Sequence, residues 1–341
     1  MLTSAFDYEL ARTAIAQQPL DERDSARLLV ADGLQDAQIR DLPSFLETGD
    51  LLVVNATRVR RARLHGHRDN GGKLEILLLG HQGNHQWAAL ALPARKLRQG
   101  QKVWFGGDPP ELVATVIDDQ GGGIVVLELE AEPAEVEAAV ERWGVIPLPP
   151  YITESIADPE RYQTIYADRV GSAAAPTAGL HFTRRLLAEL EQAGIGVAKL
   201  ELEIGIDTFR PIASLRLEDH RMHSERYSIP EGTVDQIRTT HKAGGRVVAV
   251  GTTVVRALEA SANQHGEPRA GKGVTDLFAT PGFRFRVVDR LLTNFHLPRS
   301  SLLVLVAAFT GESWRQIYQH ALSNQYRFLS FGDAVLVDRH D

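Results

Sequence analysis

Two histidines lie in segments where an imidazole could take part in chemistry. His181 follows a run of small residues, 174–180 (AAPTAGL), which would let a ligand or another backbone come close. His296 lies in 293–298 (TNFHLP), where polar side chains enter an apolar neighbourhood. An imidazole can act as base, acid or hydrogen-bond donor near neutral pH. The competing structural explanations are a tight turn for the first segment and a hydrogen-bonded buried pair for the second.

A strand followed by hydroxyl residues and a helix forms a second candidate site. Residues 246–250 (RVVAV) predict a buried strand, and Gly251-Thr252-Thr253 then begin a helix that carries Arg256 near its start. Backbone N–H groups at a helix start, two hydroxyls and a guanidinium suit a carboxylate or sugar hydroxyls. The alternative is a helix whose threonines only satisfy their own backbone.

The acidic and histidine-rich segment 218–225 (EDHRMHSE) could in principle hold a metal ion. Its H-x-x-H spacing lacks a third spaced ligand, so the pattern favours a hydrogen-bonded polar loop. The chain also contains no G-x-G-x-x-G after a strand, no G-x-x-x-x-G-K-[ST], no H-E-x-x-H and no G-x-S-x-G. The usual nucleotide cradles and the common hydrolase nucleophile are therefore absent from the sequence.

Basic side chains are concentrated in two places on a chain whose formal net charge is −7. A local excess of arginine and lysine is what contacts to nucleic-acid phosphates require. Chance surface charge is the alternative, because this chain uses arginine freely throughout. The candidate RNA-binding residues are Arg58, Arg60, Arg61, Arg63, Arg95 and Lys96.

The composition is typical of a globular protein: 341 residues, 43% hydrophobic and 24% charged. Without cysteine there can be no disulfide and no thiolate metal site. The longest clean apolar run, 302–309, is far shorter than the ~20 residues of a bilayer crossing. Because no signal segment opens the chain either, we expect a cytoplasmic protein with no membrane association.

The hydrophobic pattern predicts an α/β protein with a mostly parallel sheet. Residues 50–55 and 246–250 are typical of buried strands, and Thr183 and Thr233 have the spacing of helix caps. Between these regions, closely spaced β-like segments separated by glycine-rich turns indicate a small antiparallel barrel. We expect a discontinuous catalytic α/β domain, 1–60 and 151–341, with an all-β barrel-like domain inserted at 61–150.

Segments along nearly the whole chain resemble the S-adenosylmethionine:tRNA ribosyltransferase-isomerase family of queuosine biosynthesis. Each segment alone is a modest signal, but their number and order make the resemblance very specific. They are 55–59 (NATRV), 62–64 (ARL), 72–75 (GKLE), 147–152 (PLPPYI), 162–166 (YQTIY), 174–182 (AAPTAGLHF), 218–225 (EDHRMHSE), 250–256 (VGTTVVR), 275–276 (TD), 281–283 (PGF), 293–298 (TNFHLP), 326–328 (YRF) and 332–334 (GDA).

The resemblance implies an unusual transfer reaction. The ribosyl part of the co-substrate S-adenosylmethionine moves onto 7-aminomethyl-7-deazaguanine at the wobble position of tRNA and rearranges, giving epoxyqueuosine-tRNA, adenine and methionine. It implies no metal, an acceptor tRNA with a GUN anticodon (Asp, Asn, His or Tyr), and a monomer. An α/β body with a small inserted barrel is also the fold that it implies.

The same resemblance suggests roles for the candidate residues. His181 is the first candidate for the base that removes a proton beside the sulfonium, and His296 is the second. Asp276 or Glu225 would donate the proton that adenine needs on leaving. Residues holding the methionine or ribose part would be Gly251, Thr252, Thr253, Arg256, Thr177 and Gly179, with Phe182 or Phe295 stacking on adenine.

Three positions depart from the family pattern. Glu203 stands where a His is usual, Asp207 where a Gly is usual, and Ala56 where Asn or Asp is usual. A change from His to Glu replaces a potential donor by an anion that only accepts hydrogen bonds. Two alternatives follow: a divergent paralogue that uses another acceptor, and an inactive relative that still binds tRNA. Release of adenine would distinguish all three hypotheses.

Overall fold

A computed structural model describes residues 1–205 and 211–340 of the chain. The chain forms two compact units, one built from 1–58 together with 149–341 and the other from 59–148. We call the first unit the body and the second the barrel unit.

The strands are numbered along the chain. They are β1 (Arg27–Val30), β2 (Gln35–Gln38), β3 (Leu51–Asn55), β4 (Thr57–Val59), β5 (Arg63–Arg68), β6 (Lys73–Gly83), β7 (Gln86–Leu92), β8 (Lys102–Phe105), β9 (Leu112–Gly121), β10 (Ile124–Leu129), β11 (Arg169–Ser172), β12 (Gly196–Leu202), β13 (Glu225–Ile229), β14 (Val247–Val250), β15 (Gly271–Thr275), β16 (Arg290–Asn294) and β17 (Ala334–Asp338).

The body is built on a mixed sheet with the order β15-β13-β12-β3-β14-β16-β17-β1-β2. Its central strands β12, β3, β14 and β16 are parallel to their neighbours in this block. Antiparallel partners flank the block, with β13 and β15 on one side and β17 on the other. The predicted α/β class with a mostly parallel sheet is confirmed for the body.

The central strands are apolar because both faces of the sheet are covered. In β3, Leu51 and Val53 pack into one hydrophobic cluster, whereas Leu52 and Val54 pack into the other. This alternation follows from the two-residue period of a strand, and a sheet buried on both faces requires an uninterrupted apolar run. The predicted strands at 50–55 and 246–250 are therefore correct to within one residue at their starts.

Helices connect the strands of the body and pack on the faces of its sheet, and one further helix lies in the barrel unit. They are α1 (Pro133–Trp143), in the barrel unit, and α2 (Arg184–Gln192), α3 (Glu231–Lys242), α4 (Thr252–Ser261), α5 (Ser301–Thr310) and α6 (Ser313–Ser323) in the body. Within 1–205 and 211–340, no helix combines the length and apolar character that a membrane crossing needs.

The two predicted helix caps have different outcomes. Thr183 caps α2 as predicted, since its Oγ1 accepts a hydrogen bond from the backbone of Leu186 at 3.1 Å. The cap prediction for Thr233 is wrong. Helix α3 already begins after Pro230, and the Thr233 hydroxyl instead donates to the carbonyl of Lys199 on β12 at 2.6 Å. Pro230 is the extended N-cap residue, so the helix begins at Glu231, two residues before Thr233.

The barrel unit contains a closed barrel with the strand order β10-β7-β6-β5-β8-β9. Neighbouring strands of this barrel pair antiparallel. Buried and half-buried residues alternate along most of β7 and along the first half of β9. Such alternation is expected where one face of each strand fills the interior and the other meets solvent. The predicted all-β barrel is confirmed.

Candidate active site at the carboxyl edge of the central sheet

The sheet topology gathers most of the candidate residues at one edge. The carboxyl ends of β12, β3, β14 and β16 meet there because these strands are parallel. The antiparallel flanking strands add the start of β13, the end of β15 and the start of β17. The residues at this edge are Asn55, Glu203, Glu225, Gly251, Thr252, Thr253, Asp276, Asn294, Phe295, His296 and Asp333.

The connections change direction at β3. From β3 the chain continues to β12 on one side of it, and then returns to β14 on the other side. In open α/β sheets, ligands bind in the crevice beyond such a switch point. Asn55, the last residue of β3, lies at this point and accepts from the backbone of Leu202 at 3.1 Å and of Thr57 at 3.2 Å. Its amide also lies 3.4 Å from the Thr253 hydroxyl.

Helix α4 begins at this edge from a glycine with an unusual backbone. Gly251 has φ +94°, a conformation that residues with a side chain rarely adopt, and its N–H donates to the carbonyl of Leu292 at 2.8 Å. Thr252 and Thr253 follow as the first helical residues, and both are buried. The predicted strand–turn–helix is therefore present, with the helix starting two residues earlier than its apolar part.

Arg256 projects from α4 into a buried polar cluster. Its Nε donates to the carbonyl of Leu277 at 3.1 Å, and Nη1 forms an ion pair with Glu225. Glu225 also accepts from the backbone of Gly205 at 3.0 Å. The Nη2 atom of Arg256 is buried and has no hydrogen-bond partner among the described residues. A buried donor of this kind has the capacity to bind one further acceptor.

His181 meets the end of β16 through Asn294. The Nδ2 atom of Asn294 lies 3.2 Å from Nε2 of His181 and 3.3 Å from the carbonyl of Asp333. The amide oxygen of Asn294 accepts from the Thr177 hydroxyl at 2.9 Å. Since an amide nitrogen only donates, the contact requires Nε2 of His181 to accept and so fixes the neutral ring with its lone pair at Nε2.

The surroundings of His181 keep its ring neutral. Burial, with a smaller effect from the nearby guanidinium of Arg327, lowers the pKa of His181 to about 4, although a hydrogen bond with the backbone of Arg23 acts in the opposite direction. A hollow of about 20 Å³, roughly the space of one water molecule, lies beside the ring. Its walls include Arg23, Arg161, Arg327 and Ser330.

His296 is more enclosed than His181. Its ring is buried, with Nε2 3.1 Å from the Thr293 hydroxyl, and burial lowers its pKa to about 3. Its backbone holds two tyrosines: the N–H contacts the Tyr318 hydroxyl at 3.0 Å, and the carbonyl accepts from the Tyr8 hydroxyl. Through these contacts the backbone of His296 is held in place within an aromatic cluster.

Three residues proposed to touch S-adenosylmethionine have packing roles. Phe182 and Phe295 are fully buried; Phe182 packs edge-on against Tyr166, and Phe295 packs among tyrosines and Phe328. Gly179 is required by close packing, because a Cβ there would lie 2.2 Å from the Tyr166 hydroxyl. This packing argues against adenine stacking on either phenylalanine ring.

The two carboxylates predicted as proton donors differ in environment. Glu225 is buried and forms an ion pair with Arg256. Asp276 is exposed, between Thr275 at the end of β15 and Leu277, whose carbonyl binds Arg256. Of the two carboxylates, Glu225 is ion-paired with a buried guanidinium, whereas Asp276 forms no such pair with a described residue. Within residues 1–205 and 211–340, no group of three His, Asp or Glu side chains is arranged to hold a metal ion.

The arginine run near residue 60 is largely paired within the protein. Arg58 binds Glu160 at 2.6 and 2.8 Å, and Arg60 forms a two-point contact with Glu137 at 2.8 and 3.0 Å. The Nε of Arg63 lies 3.3 Å from Glu75. Arg61 is half-buried, and its Nε has no hydrogen-bond partner among the described atoms. Pairing of this kind reduces the charge that the run offers to RNA.

Two of the three departures from the family pattern lie in the described residues. Ala56 is buried, and its backbone links Leu200 and Asp168 through hydrogen bonds of 2.8 Å each. Glu203 donates its N–H to the carbonyl of Arg226 at 2.9 Å and lines a hollow of about 390 Å³ whose walls also include Arg169, Arg226 and Lys272. Asp207 lies outside the described residues.

Several polar residues at this edge were not predicted from the sequence. Asp333 accepts from the backbones of Arg27 at 3.0 Å and Arg327 at 2.8 Å, and so fixes the starts of β17 and β1. Arg23 donates to the carbonyls of Gln163 at 3.0 Å and Leu180 at 2.9 Å. Asp333 lies in 332–334 (GDA), one of the segments that resemble the family, whereas no sequence signal points to Arg23.

Comparison with known proteins agrees with this architecture. The sequence model of the family described as "Queuosine biosynthesis protein" matches residues 3–337. The chain belongs to this family. Its relatives include proteins named S-adenosylmethionine:tRNA ribosyltransferase-isomerase from Gloeobacter violaceus, 48% identical over 98% of this chain and 96% of the relative, and from Moorella thermoacetica, 48% identical over 99% and 100%.

A solved structure shares the fold over the same length. The S-adenosylmethionine tRNA ribosyltransferase from Thermotoga maritima is 34% identical, with 98% of this chain and 99% of that chain covered and a TM-score of 0.55. The family resemblance predicted from the sequence segments is therefore confirmed, and the relatives' names support neither the paralogue nor the inactive relative.

Proposed function

We propose that the carboxyl edge of the central sheet is where this member of the queuosine family carries out its reaction. The chain is an S-adenosylmethionine:tRNA ribosyltransferase-isomerase, which moves the ribosyl part of S-adenosylmethionine onto 7-aminomethyl-7-deazaguanine in tRNA. The observation that carries the location is the convergence of His181, Asn294, Arg256 and the Gly251–Thr253 turn on one edge. This assigns catalysis to the body.

His181 is the proposed base. The sulfonium acidifies the protons on the neighbouring ribose carbon, so a neutral imidazole of modest strength is sufficient. His181 is held in its neutral form by burial and by Arg327, and the hollow beside it leaves room for a small group to approach. His296 is the weaker candidate, because its ring is enclosed and its backbone anchors two tyrosines.

Asn294 is the proposed positioning residue for this base. Its amide holds Nε2 of His181 while its oxygen is fixed by Thr177. For proton transfer the amide must yield Nε2 to the substrate, and Nδ2 keeps a second acceptor in the carbonyl of Asp333. The proton removed from the substrate would then reside on His181, in a site that favours returning it.

Arg256 is the proposed partner of the methionine carboxylate. Its Nη2 is a buried donor without a partner, and the other two guanidinium nitrogens are already fixed by Leu277 and Glu225. A carboxylate bound there would complete the set of donors in a site of low dielectric. Thr252 and Thr253 are the proposed contacts of the ribose hydroxyls. For the departing adenine, Asp276 is the proposed proton donor.

The finer identity of the partners is also a proposal. We infer that the acceptor tRNAs carry GUN anticodons, which are those for Asp, Asn, His and Tyr, and that the protein acts as a monomer in the cytoplasm, where tRNA and S-adenosylmethionine are found. Sedimentation of the free protein would test the monomer, and a panel of tRNAs that differ only in the anticodon would test the acceptor set.

The deciding experiment measures adenine released from S-adenosylmethionine. The reaction is run with tRNA that carries 7-aminomethyl-7-deazaguanine, with the same tRNA carrying guanine at that position, and without tRNA. We expect release only with the modified tRNA. Release that needs no tRNA, or no release while S-adenosylmethionine still binds, would contradict the proposal.

A further inference from the structure

The barrel unit has a hollow whose walls are unusually rich in positive charge. Its volume is about 840 Å³, and it is formed by the turn between β5 and β6 and by the segment between β7 and β8. The residues that line it are Arg68, Asp69, Asn70, Arg95, Lys96, Arg98, Gln99, Gly100 and Gln101. We call this the cationic hollow.

The cations of this hollow have no carboxylate partners in the part of the chain that the structure describes. Arg95, Lys96 and Arg98 are exposed, and none of them forms an ion pair with a described residue. The one carboxylate in the lining, Asp69, instead accepts from the Gln101 amide at 2.7 Å. Two other basic side chains of the same unit are paired: Lys102 with Glu130 at 2.8 Å and Arg142 with Glu111 at 2.7 Å. On a chain with net charge −7, this local excess of positive charge is notable.

The backbone that carries these cations is fixed by hydrogen bonds. The N–H of Leu97 donates to the carbonyl of Ala94 at 2.8 Å, and that of Gly100 donates to Val116 on β9 at 2.8 Å. On the opposite wall, the Arg68 guanidinium lies against Gly72, where a Cβ would come within 2.0 Å of Nη2. A fixed backbone lowers the entropy lost when the side chains bind an extended anion.

The lining identifies the kind of ligand. It contains guanidinium, ammonium and amide groups but no aromatic ring on which a base could stack. An apolar small molecule would need a mostly apolar lining. Several positive charges without stacking surfaces fit the phosphates of a nucleic-acid backbone, which are contacted for affinity and register rather than for sequence.

We propose that the cationic hollow binds the phosphate backbone of the acceptor tRNA through Arg68, Arg95, Lys96 and Arg98. The identity of the RNA rests on the proposed function, whereas the binding of an RNA backbone rests on the hollow itself. Relative to the sequence prediction, this keeps Arg95 and Lys96, adds Arg68 and Arg98, and moves the principal RNA contact away from the arginine run near residue 60.

The test measures tRNA affinity at a series of salt concentrations, using the full chain and an unmodified tRNA transcript. Each phosphate contact that is lost should lower the slope of log Kobs against log[salt] by about 0.7 to 0.9. We therefore expect the triple variant Arg95→Gln, Lys96→Gln, Arg98→Gln to bind tRNA more weakly, with a slope smaller by about two to three. The matched control, Lys102→Gln with Arg142→Gln, removes paired cations of the same unit and should leave the slope unchanged.

Two further variants distinguish a lost RNA contact from a folding defect. Asp69→Asn removes the only negative charge of the hollow and should strengthen tRNA binding, which a damaged fold would not do. Gly72→Ala should displace the Arg68 guanidinium and weaken binding without removing a charge. A triple variant that keeps the wild-type affinity and slope overturns the proposal, as does equal weakening in the Lys102 and Arg142 control.

The measurement also separates this inference from the proposed function. Binding of unmodified tRNA needs no turnover, so the hollow can be confirmed in a protein that releases no adenine. Conversely, the triple variant could release adenine normally and show an unchanged salt slope. That result would contradict RNA binding at the cationic hollow and would still support the proposed function. At saturating tRNA the triple variant should retain the wild-type kcat and show only a raised KM for tRNA.

Discussion

The carboxyl edge of the body's sheet and the cationic hollow of the barrel unit use polar residues in opposite ways. At the edge, Asn55, Asn294 and Asp333 are buried, and their hydrogen bonds are made within the protein. In the hollow, Arg95 and Lys96 are exposed and unpaired. Buried groups are held in one geometry at low dielectric, whereas exposed charges act over longer distances and are screened by salt.

This difference separates two kinds of contribution to one reaction. A change at the edge should alter the rate of the chemical step, because desolvated groups with fixed geometry stabilise the transition state. A change in the hollow should alter affinity and its salt dependence, because exposed charges bind ground state and transition state alike. A residue at the edge and a residue in the hollow therefore differ in which quantity their substitution changes.

The largest effect is expected for the base. His181→Ala removes the imidazole beside the small hollow and should lower adenine release by roughly 100- to 10,000-fold, the usual contribution of a general base. Binding of S-adenosylmethionine, measured by calorimetry, should persist. The matched control is His241→Ala, which removes a histidine paired with Asp289 at 3.0 Å beyond the opposite edge of the sheet. Loss of binding in His181→Ala would make His181 a residue that only positions the ligand.

A smaller effect is expected for the residue that orients the base. Asn294→Ala removes the donor to Nε2 of His181 and leaves the Thr177 hydroxyl and the Asp333 carbonyl without it. The hydrogen bond orients the base in the transition state, and a barrier raised by about 1–3 kcal/mol on its loss lowers kcat by roughly 5- to 150-fold. The acid limb of the kcat/KM profile should move to higher pH, because the lone pair of His181 is no longer bound. An unchanged acid limb would show that Asn294 does not act through His181.

The sequence predicted the central elements but few of the contacts at the edge. β3 and β14 were predicted because a strand buried on both faces is an uninterrupted apolar run, and α2 because Thr183 caps it. β15 was missed, since an edge strand with the sequence GKGVT is mostly exposed and is defined by its pairing with β13. The contact of Asp333 with Arg27 spans 306 positions in the chain and depends on strand order, which local patterns do not contain.

The buried histidines predict a loss of stability in acid. The folded pKa of His296, about 3, is below its unfolded value, so its stabilising effect is complete above about pH 6.5 and is lost as the pH falls towards 3. Between these values the unfolded chain binds one more proton than the native protein at this residue. This residue should therefore lower the free energy of unfolding by about 1.4 kcal/mol for each unit by which the pH falls.

Comparison with a variant isolates that contribution from the acid titration of the carboxylates. His296→Asn should be less stable than wild type at pH 7. Between pH 6 and pH 4, however, its unfolding free energy should fall less steeply with pH, because its unfolding takes up about one proton fewer than that of wild type. Denaturant unfolding at each pH gives both slopes. Parallel slopes would mean that His296 takes up a proton in the folded protein, and that its ring is less enclosed than the structure describes.

The smallest effect is expected where charge is already paired. Arg60 forms a two-point contact with Glu137 and is only 14% exposed, so little of its charge is available to RNA. Arg60→Gln should change tRNA affinity by less than about 2-fold and leave the salt slope within the error of wild type, in contrast to the exposed cations of the hollow. Removing Glu137 instead would free the guanidinium, so Glu137→Gln should bind tRNA slightly more tightly. A slope reduced by about one in Arg60→Gln would show that RNA displaces Glu137, and that pairing within the free protein does not decide which cations bind.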